Sequence, residues 1–446
     1  MRVDFPERSS CFARVCLVCV CSFGSVASAS PGDHIRVGAA EVTPSVQFVN
    51  QWQSNVYLQE DSEQSGLNLQ VVPGFSVELD GNDIQLSVDA SYTARQYLDS
   101  AFSNLNQYSE TDFEFDMVVL PNSTVGFDFN DSFSVSTHAT EATYADRALI
   151  THITNNASGS LSIHPGGALD VDLGGHLSYD DFFTPQEASL ANTAANLNSK
   201  THYGPKVGIK WTFFPRTAFV LNYAQSWFDW DRNLVVAKGD ETGNSQDLGA
   251  WLAIPDGATW RVTGGLMGRF TPRLLLNVIG GYGQITYDEQ TVIDYQGNTD
   301  ATPAEVDPAS VGFGQDLGGF PGGIIGKVQL EWSPNFANVI TLGYSKDFED
   351  SWFTNYLSYH YGFLRYKLLM GAKLGVTSEF GYRIESYVGE VTRTDQMINS
   401  RVGIDYHASS WLDVGINTRW TRRLNPESPV IEYDDLSAAL TFTATY

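Results

Sequence analysis

One feature constrains this sequence more than any other: apolar and polar residues alternate with a period of two along most of its length. Leu67, Leu69, Val71, Phe75, Val77 and Leu79 are interleaved with Asn68, Gln70, Gly74, Ser76 and Glu78. Ile84, Leu86, Val88, Ala90 and Tyr92 follow the same rule, as do Leu412, Val414, Ile416, Thr418 and Trp420 near the end. Successive side chains on a strand point to opposite faces, so each stretch has one apolar and one polar face. Beyond the N-terminal region no stretch approaches the ~18 consecutive apolar residues that a membrane-crossing helix needs. If this chain enters a membrane, it does so with strands.

The punctuation between strands has a pattern of its own. Short connections of turn-forming residues recur, among them Asp80-Gly81-Asn82-Asp83, Pro121-Asn122-Ser123-Thr124, Phe214-Pro215-Arg216 and Thr271-Pro272-Arg273. Between successive short turns lie two strands and one longer connection, the longest near 181–200, 231–256 and 288–321. Short turns at one end and long loops at the other predict an all-β fold: a transmembrane antiparallel up-and-down β-barrel of about 18 strands. Its short turns are expected to be periplasmic and its long loops extracellular, with both termini on the short-turn side because the strand count is even. A soluble sandwich or propeller would use strands of ~5–6 residues, whereas these run to ~12–15 residues, more than the ~9–11 a tilted membrane strand needs.

The N-terminus reads as a leader. Arg2, Arg8 and Arg14 precede an apolar Val15–Phe23 run and an Ala27-Ser28-Ala29 cleavage site, so residues 1–29 are expected to be a removed signal peptide. Residues 30–41 then form a short periplasmic segment and 42–446 the barrel. All four cysteines (Cys11, Cys16, Cys19, Cys21) lie in the leader, which excludes disulfide staples, thiol catalysis and Cys-ligated metal from the rest. With 26 Lys+Arg against 52 Asp+Glu the formal charge is −26, which argues against nucleic acid as a partner. Charged residues make up only 17% and aromatics 13% of the chain, a pairing that suits an outer surface touching something other than water.

Aromatics stand where two membrane interfaces are expected. Trp211, Phe213, Trp332 and Trp411 lie beside short turns, and Trp52, Trp227, Trp260 and Trp420 nearer the long loops. The chain ends on Tyr446, after an apolar face that includes Leu440 and Phe442, and resembles the closing strand that barrel-assembly machinery reads. Taking the apolar set as lipid-facing sends Arg95, Lys206, Lys210, Arg261, Arg269, Lys327, Arg383, Arg401, Arg419 and Arg423 into the lumen. There they either steer an anionic polymer or brace the wall through cross-strand pairs with acids such as Asp405 and Asp413. Thr184-Pro185-Gln186-Glu187 reads as the start of a loop helix reaching Asn198, and the 288–320 loop is acidic without a Lys or Arg.

The order of segments resembles the β-barrel porin 2 family, outer-membrane barrels associated with exopolysaccharide and capsule export. The resemblance covers nearly all of the chain after the leader. It is carried by Glu41-Val42-Thr43-Pro44-Ser45, Asn55-Val56-Tyr57-Leu58, Pro73 to Leu79, and Gly343-Tyr344-Ser345-Lys346-Asp347-Phe348-Glu349-Asp350-Ser351. It implies a conduit in the bacterial outer membrane, working among lipid, lipopolysaccharide, the assembly machinery, a polysaccharide and its periplasmic export proteins. A passive porin for small solutes and a surface adhesin or anchor are the other expectations from the same fold. No HExxH, GxSxG, phosphate-cradling glycine loop or Cys/His metal spacing occurs, so no catalytic residue, metal or cofactor is expected.

Overall fold

The computed structural model describes residues 35–58, 63–107, 109–141, 147–183, 199–230, 235–236, 250–252, 256–287, 292–294, 322–350, 356–388, 393–426 and 432–446. The expected leader, the loop helix at 184–198 and nearly all of the acidic 288–320 loop lie outside these residues.

Eighteen long strands form one closed antiparallel wall. The first six are β1 (Ala40–Gln53), β2 (Gly66–Asp80), β3 (Ile84–Tyr97), β4 (Ser109–Val119), β5 (Val125–Glu141) and β6 (Arg147–Ile163). Then come β7 (Leu169–Phe183), β8 (Lys200–Phe214), β9 (Thr217–Trp230), β10 (Gly257–Thr271), β11 (Leu274–Tyr287) and β12 (Gly323–Asn335). The last six are β13 (Asn338–Asp350), β14 (Tyr356–Met370), β15 (Leu374–Val388), β16 (Arg393–Ser409), β17 (Leu412–Leu424) and β18 (Tyr433–Thr445). Every strand pairs with its sequence neighbours, and β1 closes on β18 in register from Ser45↔Thr445 to Gln53↔Ser437. The strand number and the alternation of short and long connections match the sequence expectation.

The seam has a feature the sequence did not announce. Below Ser45, where β18 has run out, a short strand Ile35–Val37 doubles back and pairs with Val42 to Ala40 of β1. The Tyr446 amide donates to the Pro44 carbonyl at 3.0 Å, so the closing strand is held to its last residue. The barrel wall therefore begins at Ala40, and part of the segment expected to precede it belongs to the rim.

Register decides which side chains share a face, because cross-strand partners point the same way. Phe48, Val71, Phe442, Val414 and Ile404 fall on one face and are exposed or half-buried, in keeping with a wall that presents its hydrophobic residues outward. Trp211 and Trp332 sit on that outer face beside the short turns, Trp411 is exposed in the turn between β16 and β17, and Trp52 and Trp227 lie on the outer face near the long loops. Among the described residues, no helix is long and apolar enough to cross a membrane. A sheet closed on itself leaves no unpaired edge, which is what strands in hydrocarbon require.

Candidate functional site

The polar face of each strand lines the interior, and one row across it is unusual. Arg365 on β14, Glu379 on β15, Arg401 on β16 and Arg419 on β17 are successive register partners. Arg365 Nε reaches Glu379 Oε2 at 2.5 Å. The one acid in the row is thus engaged from the β14 side, while Arg401 and Arg419 stand opposite each other, exposed to the lumen and without an ion pair among the described residues. Like charges directly opposite destabilise a sheet slightly. Arg419 is attracted by the Asp435 carboxylate two residues from its register partner Ser437, while the acid beside Arg401 is held by Arg365.

The inner wall of β3 to β5 has the opposite character. Asp89 is directly opposite Glu114, and Asp112 and Asp116 extend the acidic face along β4. Arg95 is the basic residue there, paired with Glu110 at 2.6 Å. The lumen is therefore acidic on one arc and basic on another, a separation that orients charged solutes inside a low-dielectric wall.

The other sequence-predicted cations divide by partner. Lys210 meets Asp170 of the neighbouring strand at 3.2 Å, and Arg383 meets Glu385 of its own strand at 2.8 Å and Glu349 of β13 at 3.9 Å, so both are tied into the wall. Lys206, Arg269 and Lys327 face inward with no ion pair among the described residues. Arg423 departs from expectation: its partner is Asp395, not Asp405 or Asp413. Arg393 lies 3.2 Å from the same fully buried carboxylate, and Asn425 also donates to it. Arg423 is bound into a buried polar cluster near the long-loop end and is not presented to the lumen beside Arg401. Asp413 is paired instead with His407 at 2.5 Å.

Lys200, Arg365, Lys367 and Arg393 are inward cations not picked out from the sequence, and Lys200 makes a long-range contact near the long-loop end. β13 and β14 pair all the way to Asp350↔Tyr356, but β12 pairs with β13 only as far as Gly326↔Lys346. Freed of β12, the end of β13 leans inward. Phe348, outward by strict alternation, is fully buried against Phe228, Trp230, Ile285, Ile325 and Tyr356. It lies so close to the inner face of β11 that a Cβ on Gly283 would come within 2.6 Å of its ring. Arg261 on β10 reaches Asp347 at 3.2 Å and stacks 4.3 Å from the Phe348 ring. Lys200 on β8 donates to Asp350 at 2.7 Å. With β9 to β12 lying between its ends, this last pair is a chord across the inside of the barrel, and the β13–β14 hairpin narrows the mouth. On another arc, Phe102 and Leu105 of the 3₁₀ segment Ser100–Gln107 fold in with Val56 and Tyr97.

Leu440 and Phe442 face outward on the closing strand, between β1 and β17, and Tyr446 completes the seam. Among the described residues, no group of three His, Cys, Asp or Glu is placed to hold a metal ion.

These features define a class: a transmembrane antiparallel β-barrel with a charge-divided lumen and one hairpin end leaning inward. No protein-family model matches the sequence, so the resemblance to the β-barrel porin 2 family rests on the residues quoted for it. No curated protein matches it either. Among solved structures, the chain is similar to OpdK of Pseudomonas aeruginosa crystallised with vanillate. The two share 10% identity over 91% of this chain and 99% of that one, with a TM-score of 0.44. It is similar also to the FrpB iron transporter of Neisseria meningitidis, at 9% identity over 86% of this chain and 62% of that one, with a TM-score of 0.45. A bacterial polysaccharide outer membrane secretin gives 10% identity over 90% and 98% of the two chains and a TM-score of 0.35. At such identities and scores, none of them bears on what this chain carries.

Proposed function

We propose that this barrel is a conduit of the bacterial outer membrane, directed there by a cleaved leader, and that its cargo is an anionic exopolysaccharide or capsular polysaccharide. The observation that carries the reading is the Arg401–Arg419 pair, two lumen-facing guanidiniums opposite each other while Arg365 engages the acid in their row. Fixed cations on a pore wall that make no direct ion pair attract and guide polyanions. The inward aromatics nearby, with Arg383 4.2 Å from the Tyr359 ring, offer flat apolar surfaces for sugar faces. The reading is non-enzymatic and needs no cofactor. Its partners are lipopolysaccharide, the barrel-assembly machinery that reads Leu440, Phe442 and Tyr446, and periplasmic export proteins.

A second reading, a porin for small solutes, is favoured by the in-leaning β13–β14 hairpin, which leaves less room at the mouth for a polymer. One experiment separates the two. Surface polysaccharide is measured in a strain lacking the gene, complemented with the wild type or with Arg401→Gln/Arg419→Gln, and the reversal potential of each protein is measured in bilayers under a salt gradient. The conduit reading expects lost polysaccharide, restored by the wild type only, and anion preference that falls in the variant. Anion preference with undisturbed polysaccharide would favour the small-solute porin. Cation preference in the wild type would overturn the role assigned to the arginines.

A further inference from the structure

The outer wall carries one charged side chain in the wrong place. On β5 the outward column reads Val125, Phe127, Phe129, Asp131, Phe133 and Val135, so Asp131 stands in the middle of an aromatic band. The other charged groups on outward positions whose side chains are described (Asp181, Asp229, Lys346, Arg422 and Asp434) fall within five residues of the long-loop end of their strands. There headgroups and water can reach them. Asp131 has Asn155 of β6 as its partner, whose amide donates to Asp131 Oδ1 at 3.0 Å. The second amide hydrogen of Asn155, its carbonyl oxygen and the second Asp131 oxygen find no partner among the described residues. In hydrocarbon such groups are costly, and polar side chains there commonly bond across a protein contact.

We propose that this face of the barrel, centred on Asp131 and Asn155, is the contact with a second copy of the chain. The inference rests on the outer wall being lipid-facing. In a closed symmetric dimer, two copies inserted in the same direction are related by a two-fold axis along the membrane normal. Such an axis sets the left side of one patch against the right side of the other, so Asp131 of each copy faces Asn155 of the other. The free amide hydrogen of one then meets the free carboxylate oxygen of its mate, twice, and the unpaired groups satisfy each other. The floor of the patch suits close approach: Ala157 is the register partner of Asp131, and Gly159 and Gly175 are partners just below. Phe115, Phe129 and Phe133 stand around the polar pair and would screen it from lipid.

The sequence after residue 29 contains no cysteine, which makes a clean test available. Ala157→Cys is introduced, outer membranes are treated with a mild oxidant, and unreduced gels are read after confirming heat-modifiable migration. A cross-linked dimer is expected from this variant and none from Leu266→Cys, which lies on the outer face of β10. Adding Asp131→Leu and Asn155→Leu should reduce cross-linking at least tenfold while the barrel still inserts, since leucine belongs on a lipid-facing wall. Four results would overturn the proposal: no dimer from an inserted barrel, equal cross-linking at Leu266→Cys, an adduct with a different protein, or a dimer that survives the double leucine variant. Failure to insert at all would instead strike at the membrane reading beneath it.

Discussion

Arg401 and Arg423 share a chemistry and the inner face of two adjacent strands, β16 and β17, yet their surroundings give them different tasks. Arg423 shares the buried Asp395 carboxylate with Arg393, whereas Arg401 faces another arginine and the lumen. Breaking a buried pair leaves an uncompensated charge, at a cost of ~3–5 kcal/mol. Removing one of two like charges on adjacent strands relieves a few tenths of a kcal/mol of repulsion. Asp395→Asn is therefore expected to lower the barrel's stability by about 3 kcal/mol, read as an earlier midpoint in urea unfolding from lipid bilayers. Arg401→Gln with Arg419→Gln should leave that midpoint unchanged or slightly later. Equal losses in both variants would mean that the arginine row braces the wall after all. Alternation in the sequence could place all these residues on the inner face, but not assign their partners. Those depend on register between strands, and Arg423 reaches Asp395 diagonally past its register partner Met397.

At the scale of elements, the strands and turns were legible and the lean of one hairpin was not. Strand boundaries follow from period-two patterning and from the residue types of the turns, and these are local. The inward tilt of the β13 end depends on where β12 stops pairing, and on Phe228, Ile285 and Arg261 having room to receive Phe348. No local pattern records that. Arg365 was missed for a related reason: β14 carries Tyr359, Tyr361 and Phe363 on its inner face and Leu364 and Tyr366 on its outer one, so the apolar and polar faces blur. The Lys200–Asp350 chord makes the hairpin testable as an element. Lys200→Met with Asp350→Leu removes both charges together, so neither is left as a lone buried ion and stability should hold level or rise by ~1–4 kcal/mol. Single-channel conductance is expected to rise as the mouth loosens, because a barrel of this strand number is wide enough for an aqueous channel. An unchanged conductance would show that the narrowest point lies elsewhere.

For the whole molecule, closure is the property on which everything else depends. A soluble sheet survives an open edge by hydrating it; a sheet in hydrocarbon does not, because each unpaired backbone group there costs several kcal/mol. The seam between β1 and β18 is accordingly extended at both ends. Tyr446 bonds to Pro44, the short strand Ile35–Val37 continues the pairing below, and Ser54 donates its amide to Leu436 above. Removing residues 436–446 would strip β17 and β1 of their shared neighbour at once, leaving two facing edges too far apart to pair. The full chain is expected to fractionate with outer membranes and to migrate faster on gels when unheated than when boiled. The truncated chain should still leave the cytoplasm but lose the fast-migrating form and accumulate at less than a tenth of the normal membrane level. Tyr446→Asp, which keeps the seam amide but puts a charge at the rim, should fall between the two. A truncated chain that kept its fast-migrating form would mean the wall closes by some other pairing, either β1 directly on β17 or a different partner for β1, and that the β1–β18 register is not what seals the barrel.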